Sequence, residues 1–416
     1  MLLGRRFAGD ADVSGQLQSS ASDGNVPERV ARAWALLLSD WLSRAADTEH
    51  FGFFDTLDAA GRPQLRADKT ILVQARMLFT LSHLALITGG ETQLVELAKR
   101  QAGALAAFRK AAGLYCRAVR RDGTPTGRRE DGIARSYDQS FVLLGLVTWN
   151  RIAPSVDTET EIEACWSAIG SQLTDATTGL LLEHDGVMDP AAPHAPPRAQ
   201  NPHMHLYEAC LQAFEMTGAA VWLDRASMLR NVALRYFFDE ETGSIREWIA
   251  PDLADLPGAA GLRREPGHQC EWAWLLRREA SFSGNASLDD LAVRLMNFAD
   301  RHGFAQSGRM RGAALDAVSA TGQIQEEAFL LWPQTEAIKV FAQRHAYGDI
   351  AAGPRALDLV ALVFDRWFSA TPFWINRVDS AGLVLWPETL TRLFYHLALA
   401  LTEGARAGLW AVPRGN

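Results

Sequence analysis

The stretch YFFDEETGSIREW, Tyr236 to Trp248, lies between two helical patterns and shows how this chain turns. Aromatic residues lead into a polar run, Gly243 permits a tight turn, and apolar residues resume after it. The same plan recurs as FGFFDTLDAAGRP from Phe51, GLYCRAVRRDGTP from Gly113, GLLLEHDGVMDP from Gly179, GFAQSGRM from Gly303 and FWINRVDSAGLV from Phe373. By subtraction of those numbers, successive starts lie 62, 66, 57, 67 and 70 residues apart.

Each interval has room for two helices. Helical periodicity is strong in VARAWALLLSDWLSRAA, ILVQARMLFTLSHLALITG, SFVLLGLVTWNRIA, HLYEACLQAFEMTG, LDDLAVRLMNFADRHG and LFYHLALALTEGARAGL, whereas strand signals are weak. Six helical pairs at a near-constant period indicate a repeat architecture. An open solenoid would show plainly self-similar repeats and an extended binding face. These repeats are degenerate outside their turns, so the expectation is an all-α, closed (α/α)6 barrel. It should form a single domain over residues 26–416, after a flexible lead-in over residues 1–25.

Bulk properties narrow the function. The chain has 416 residues, is 48% hydrophobic and carries a net charge of −8. Its basic residues are scattered, which argues against nucleic acid as a partner. No apolar run is long enough for a membrane span or a signal peptide. Cys116, Cys165, Cys210 and Cys270 are widely spaced and read as reduced thiols, so a soluble, cytoplasmic protein is expected. No glycine-rich phosphate loop suggests a nucleotide site. A homodimer is compatible with the sequence.

Polar sets stand at the starts of several helical units. NPHMHLYEA places His205 and Glu208 at i, i+3, with Asn201 as an N-cap candidate if the helix begins near Pro202. EPGHQCEWAWLL places His268 three residues before Glu271. LWPQTEAIK carries Trp332, Gln334 and Glu336, and LFYHLALALTE puts His396 in an apolar helix. Alone, each fits a capped helix or a satisfied core histidine. Together they suit one central cavity. The HxH pair His203 and His205 lacks the further ligands of a zinc site, so neither metal nor cofactor is expected.

At these residues the chain resembles the N-acylglucosamine 2-epimerase superfamily, and its mannose isomerase branch most. The resemblance runs through KTILVQARMLFTLSHL, YDQSFVLLGL, NPHMHLYEA, EPGHQCEWAWLL, LWPQTEAIK and YHLALA, in the family's order. It implies an (α/α)6 barrel acting on a small-molecule sugar without a metal. A proton leaves C2 of the open-chain aldose, a cis-enediol forms, and the proton returns to C1 or to the other face of C2. By position, His268 and His396 are then the acid/base pair, Glu271 the carboxylate that orients and charges His268, and Arg76 the donor to the reacting oxygens. Asn201, His205, Glu208, Trp332, Gln334 and Tyr137 are the implied sugar-binding set.

The implied reaction is mannose–fructose type isomerisation, with 2-epimerisation of an N-acylglucosamine or another hexose as the alternative. A non-catalytic sugar-binding toroid is more remote. A glycoside hydrolase would want two unpaired carboxylates, and here the acids sit beside histidines. Two departures from the branch stand out. WPETLTRLFYH replaces a small-residue segment before the terminal YH, and the loop MDPAAPHAPPRAQ is long.

Overall fold

A computed structural model describes residues 24–368 and 371–413. Apart from Gly24 and Asn25, the expected lead-in falls outside the described residues. Asn25 already caps the first helix, its side chain accepting from the Glu28 backbone at 3.0 Å while Glu28 answers to the Asn25 backbone.

Twelve long helices follow one another in pairs. They are α1 (Val26–Leu36, continued by a π turn and a last helical turn to Ala45), α2 (Ile71–Ile87), α3 (Thr92–Ala104), α4 (Ser136–Ile152), α5 (Val156–Gln172) and α6 (Asn201–Thr217). After these come α7 (Ala220–Phe237), α8 (Pro266–Ser283), α9 (Ser287–His302), α10 (Leu331–Ala346), α11 (Ala352–Trp367) and α12 (Phe394–Arg406). The even-numbered helices form an inner ring and the odd-numbered ones an outer layer.

Composition explains the division. Outer α9 buries Leu288, Ala292, Leu295, Met296 and Ala299, one stripe at helical spacing. Inner α6 buries every residue from Pro202 to Ala213, so it has no solvent face. The ring is closed. Thr56–Leu57 near the start pairs antiparallel with Thr389–Leu390 near the end, and α12 packs on α2. Trp41 seals the seam, its ring 4.9 Å from Trp374 and 4.4 Å from Phe394. The expected toroid is thus present, and the open solenoid is excluded.

A side chain near the start of each of the first five inner helices grips the hairpin before it. Gln74 accepts from the Phe53 backbone N–H and donates to its carbonyl, both at 2.9 Å. Gln139 does the same with Tyr115 at 2.9 and 3.0 Å, Gln269 with Ile245 at 2.7 and 3.0 Å, and Gln334 with Ala314 at 2.7 and 2.8 Å. In α6 an imidazole substitutes, with His203 Nε2 accepting from Leu181 N at 2.9 Å and Nδ1 meeting Ala199 O at 3.1 Å. These residues, 74, 139, 203, 269 and 334, are spaced by 65, 64, 66 and 65. At the sixth hairpin, hydroxyls take over: Thr389 donates to Trp374 O at 2.7 Å, and Thr391 to Phe54 O.

This corrects one expectation. Gln334 is not free to bind a sugar, because its carbonyl and both donors are consumed by Ala314 and Leu330. The other half of the HxH motif is likewise structural.

Replacing Gln139 by Leu keeps volume but strands a buried backbone N–H and C=O at Tyr115. At about 1–3 kcal/mol for each unsatisfied group, a loss of roughly 2–6 kcal/mol is expected. Urea unfolding measures it; a change below about 1 kcal/mol would show that the grip is dispensable.

Candidate active site

The grip fixes the rotation of each inner helix, and so the residue two positions later. Those residues are Arg76, Phe141, His205, Glu271 and Glu336, and His396 is their counterpart on α12. Contacts run round the ring without a break. Arg76 lies 4.1 Å from the Phe141 ring centre, and Phe141 lies 4.6 Å from the His205 ring. His205, Glu208 and Glu271 bring side-chain atoms within 4.8 Å of one another. Lys339 Nζ stands 3.7 Å from Glu271 and 2.5 Å from Glu336. Glu336 Oε1 meets His396 Nδ1 at 2.7 Å, and His396 Nε2 returns to Arg76 Nη1 at 3.3 Å. All six inner helices contribute.

The remaining expected residues flank this ring. His268 and Trp332 place their ring centroids 4.7 Å apart, and Trp332 and His396 theirs 6.2 Å apart, so one indole lies against both imidazoles. Gly267 makes this approach possible, since a Cβ there would come within 2.5 Å of the Trp332 ring. Tyr137 accepts from Arg76 Nη2 at 2.7 Å and lies edge-on to His205.

Buried polar atoms without a hydrogen-bond partner include Arg76 Nε, Asn201 Oδ1 at the start of α6, and Glu271 Oε1, whose only close charge is Lys339 Nζ at 3.7 Å. Orphaned groups of this kind are rare in folded proteins and suit a ligand rich in hydroxyls. Asn201 is the first residue of α6 rather than its cap. Glu208 has both oxygens engaged, one by His205 Nδ1 at 3.0 Å and the other by the Tyr395 hydroxyl. Burial opposes its charge, but these partners hold its pKa down to about 2. Both of its oxygens are thus already engaged within the protein, and one of them fixes His205.

Glu271 requires a further correction. His268 Nδ1 is held by Glu247 Oε2 at 2.7 Å, with Glu265 at 3.4 Å, whereas Glu271 faces Lys339. Burial alone would depress the His268 pKa, yet Glu247 and Glu265 outweigh it and push the value up to about 9, with Glu271 a smaller contributor. Glu247 is itself fixed by Gln200 Nε2 at 3.1 Å and the Glu265 backbone N–H at 3.0 Å. No i, i+3 rule could reveal Glu247, which lies on the preceding hairpin 21 residues away.

His396 has the opposite setting. Burial and the nearby cations Arg76 and Lys339 hold its pKa well below the ordinary histidine value. Its Nδ1 donates to Glu336, leaving the Nε2 lone pair toward Arg76. Lys339 stays charged because Glu336, Glu271 and Glu208 overcome its desolvation and raise its pKa. Two clusters, His205–Glu208–Glu271 and Glu247–Glu265–His268, have spacings that a metal ion could use, but the pairings above already employ most of their ligand atoms.

Glu247→Gln should lower the pKa of His268, read by NMR titration of the imidazole. The pKa is higher folded than unfolded, so the pair stabilises the fold fully below 6.5, and this contribution fades as pH rises through about 9. The melting-temperature gap between wild type and Glu247→Gln should therefore be widest near pH ~6 and narrow above pH ~9. A gap independent of pH would show that the pair is not ionic.

Comparisons with known proteins agree with this geometry. The N-acylglucosamine 2-epimerase (GlcNAc 2-epimerase) family profile matches residues 52–400. A mannose-6-phosphate isomerase of Rhizobium meliloti (strain 1021) is 27% identical over 376 residues, covering 87% of this chain and 92% of that protein. A D-mannose isomerase of Thermobifida fusca is 29% identical over 272 residues, 59% of this chain and 61% of the relative. Among solved structures, a D-mannose isomerase superposes with a TM-score of 0.78 at 18% identity, covering 91% of this chain and 97% of that one. A cellobiose 2-epimerase from Bacillus thermoamylovorans B4167 gives 0.78 at 14% identity, covering 91% and 99%. With its motifs in order on a closed six-hairpin toroid, this chain belongs to the N-acylglucosamine 2-epimerase family.

Proposed function

We propose that this sugar isomerase/epimerase catalyses aldose–ketose isomerisation of a mannose-type open-chain sugar. The observation that carries the reading is the pair His268 and His396, set against one indole with their protonation pushed in opposite directions. Two titratable groups driven apart in this way serve as acid and base at one pH. The names of the two relatives above, a mannose-6-phosphate isomerase and a D-mannose isomerase, support the mannose configuration.

In this reading His396 Nε2 removes the C2 proton while the His268 imidazolium protonates O1, giving the cis-enediol. The O2 hydroxyl then returns a proton to His268, and His396 delivers the former C2 proton to C1. The product is the ketose, and both imidazoles regain their starting states. Arg76 meets the oxygen on which negative charge develops. As that charge grows it offsets the guanidinium that depresses the His396 pKa, so the base strengthens along the reaction path. In 2-epimerisation O1 stays unprotonated as an enediolate beside Arg76, and the His268 imidazolium instead protonates the opposite face of C2; His396 then loses its proton to solvent and His268 regains one before the next turnover.

Mannose and mannose 6-phosphate in heavy water, each followed by NMR, decide between them: the ketose marks isomerisation, the C2 epimer marks epimerisation, and a C2–H unchanged in both sugars defeats both. His268→Asn and His396→Asn should each lower turnover by about 10²–10⁴-fold without loss of fold. A stable, active His396→Asn protein would overturn the pairing. Arg76→Ala should reduce kcat by on the order of 10²-fold, with a smaller effect on KM, because its contribution grows with the transition-state charge. A rise in KM alone would make it a ground-state contact. Turnover should survive prolonged treatment with a strong chelator, and loss that zinc or manganese restores would refute metal independence.

A further inference from the structure

One charged side chain beside Arg76 is not used by the proton-transfer reading. Arg392 lies in the segment WPETLTRLFYH, where this chain departs from its branch. It occupies the 3-10 turn Thr391–Leu393 that leads into α12, four residues before His396 and on the same side of the helix start. Its carbonyl accepts from Arg76 Nη1 at 3.2 Å, which ties its position to the site. Its neighbours in the turn are buried, but Arg392 itself is exposed.

Several arginines of the hairpin loops nearby are paired. Arg263 meets Glu326 at 2.6 Å, Arg377 meets Glu326 at 2.8 Å, and Arg121 meets Asp47 at 2.8 Å. Among the described residues, no carboxylate, carbonyl or aromatic face lies in bonding reach of the Arg392 guanidinium. The charged and titratable groups it faces are Arg76, Tyr137 and Asp55. Asp55 is a poor counter-ion, since Thr70 engages both its oxygens and burial pushes its pKa up to about 7. Two guanidinium groups thus lie near one another without a shared anion. That arrangement is repulsive until a negative charge enters, and a guanidinium fork matches the oxygens of a phosphate.

We propose that Arg392 is an anion-binding residue of this site and that the aldose it takes carries a phosphate monoester, an assignment that rests on the sugar-isomerase reading above. Calorimetric titration of the full chain with mannitol 1-phosphate and with mannitol, open-chain polyols that cannot react, tests it directly. The phosphorylated polyol should bind on the order of 10- to 100-fold more tightly, as expected for hydrogen bonds to a charged group. Arg392→Gln should remove most of that advantage, and Arg392→Lys should retain part of it. Equal affinity for the two polyols, or an advantage that survives in Arg392→Gln, would overturn the proposal. So would inorganic phosphate binding as tightly as mannitol 1-phosphate, which would indicate an adventitious ion only. Because neither polyol reacts, failure here is distinct from failure of the proton-transfer reading, which appears in the heavy-water experiment.

Discussion

The side-chain grip of inner helix on hairpin is the interaction on which the rest depends. An inner helix buried on every side has no amphipathic stripe to set its rotation, and apolar packing alone would tolerate several rotations. Two directional hydrogen bonds to one backbone residue remove that freedom, and they are hard to replace because both partners are buried. Once Gln74 is fixed on Phe53, Arg76 must face the cavity; once Gln334 is fixed on Ala314, Glu336 must do so. The chemistry therefore begins two residues from the structural contact, and the same offset recurs around the toroid.

The ring so produced concentrates charge in a place that is otherwise apolar. Glu208, Glu271 and Glu336 surround Lys339, and Arg76 closes the circuit beside His396. Buried ions are costly unless each finds a partner, and removing one partner exposes the full penalty. Here the compensation leaves a remainder: Arg76 Nε, Asn201 Oδ1 and Glu271 Oε1 make no hydrogen bond within the protein. A hydroxylated ligand can complete those groups while the ring behind them stays fixed, so little reorganisation is needed as charge develops on the substrate.

The fold and the two histidines were legible in the sequence because both depend on local signals. The hairpin turns announce themselves through glycine and polar runs, and helical periodicity fills the intervals. His268 and His396 stood in motifs shared with a family. The orienting carboxylates were legible only in part. His205 and Glu208 share a helix face, so spacing exposes the pair. His268 and Glu247 belong to different elements, and His396 and Glu336 lie one whole repeat apart. Sequence proximity favoured Glu271 for His268 and missed the residue that holds it. Gln334 misled for a related reason, since a polar residue at a helix start suggests a ligand contact until the hairpin that consumes it is known. The 65-residue recurrence of the glutamines was the available signal, and degenerate repeats concealed it.

The hairpin that revealed the fold also holds the His268 imidazole. In SIREW, Ile245 is gripped by Gln269, and Glu247, two residues on, holds the neighbouring His268. Both contacts come from the same short hairpin, whose strand Ser244–Ile245 pairs with Phe238–Asp239. A slip of one residue would turn Glu247 away from His268 and break the Gln269 grip together. The Gln269 grip and the His268–Glu247 contact thus depend on the same register. A residue that looks purely architectural, Gln269, becomes a condition for the charge on the imidazole beside it.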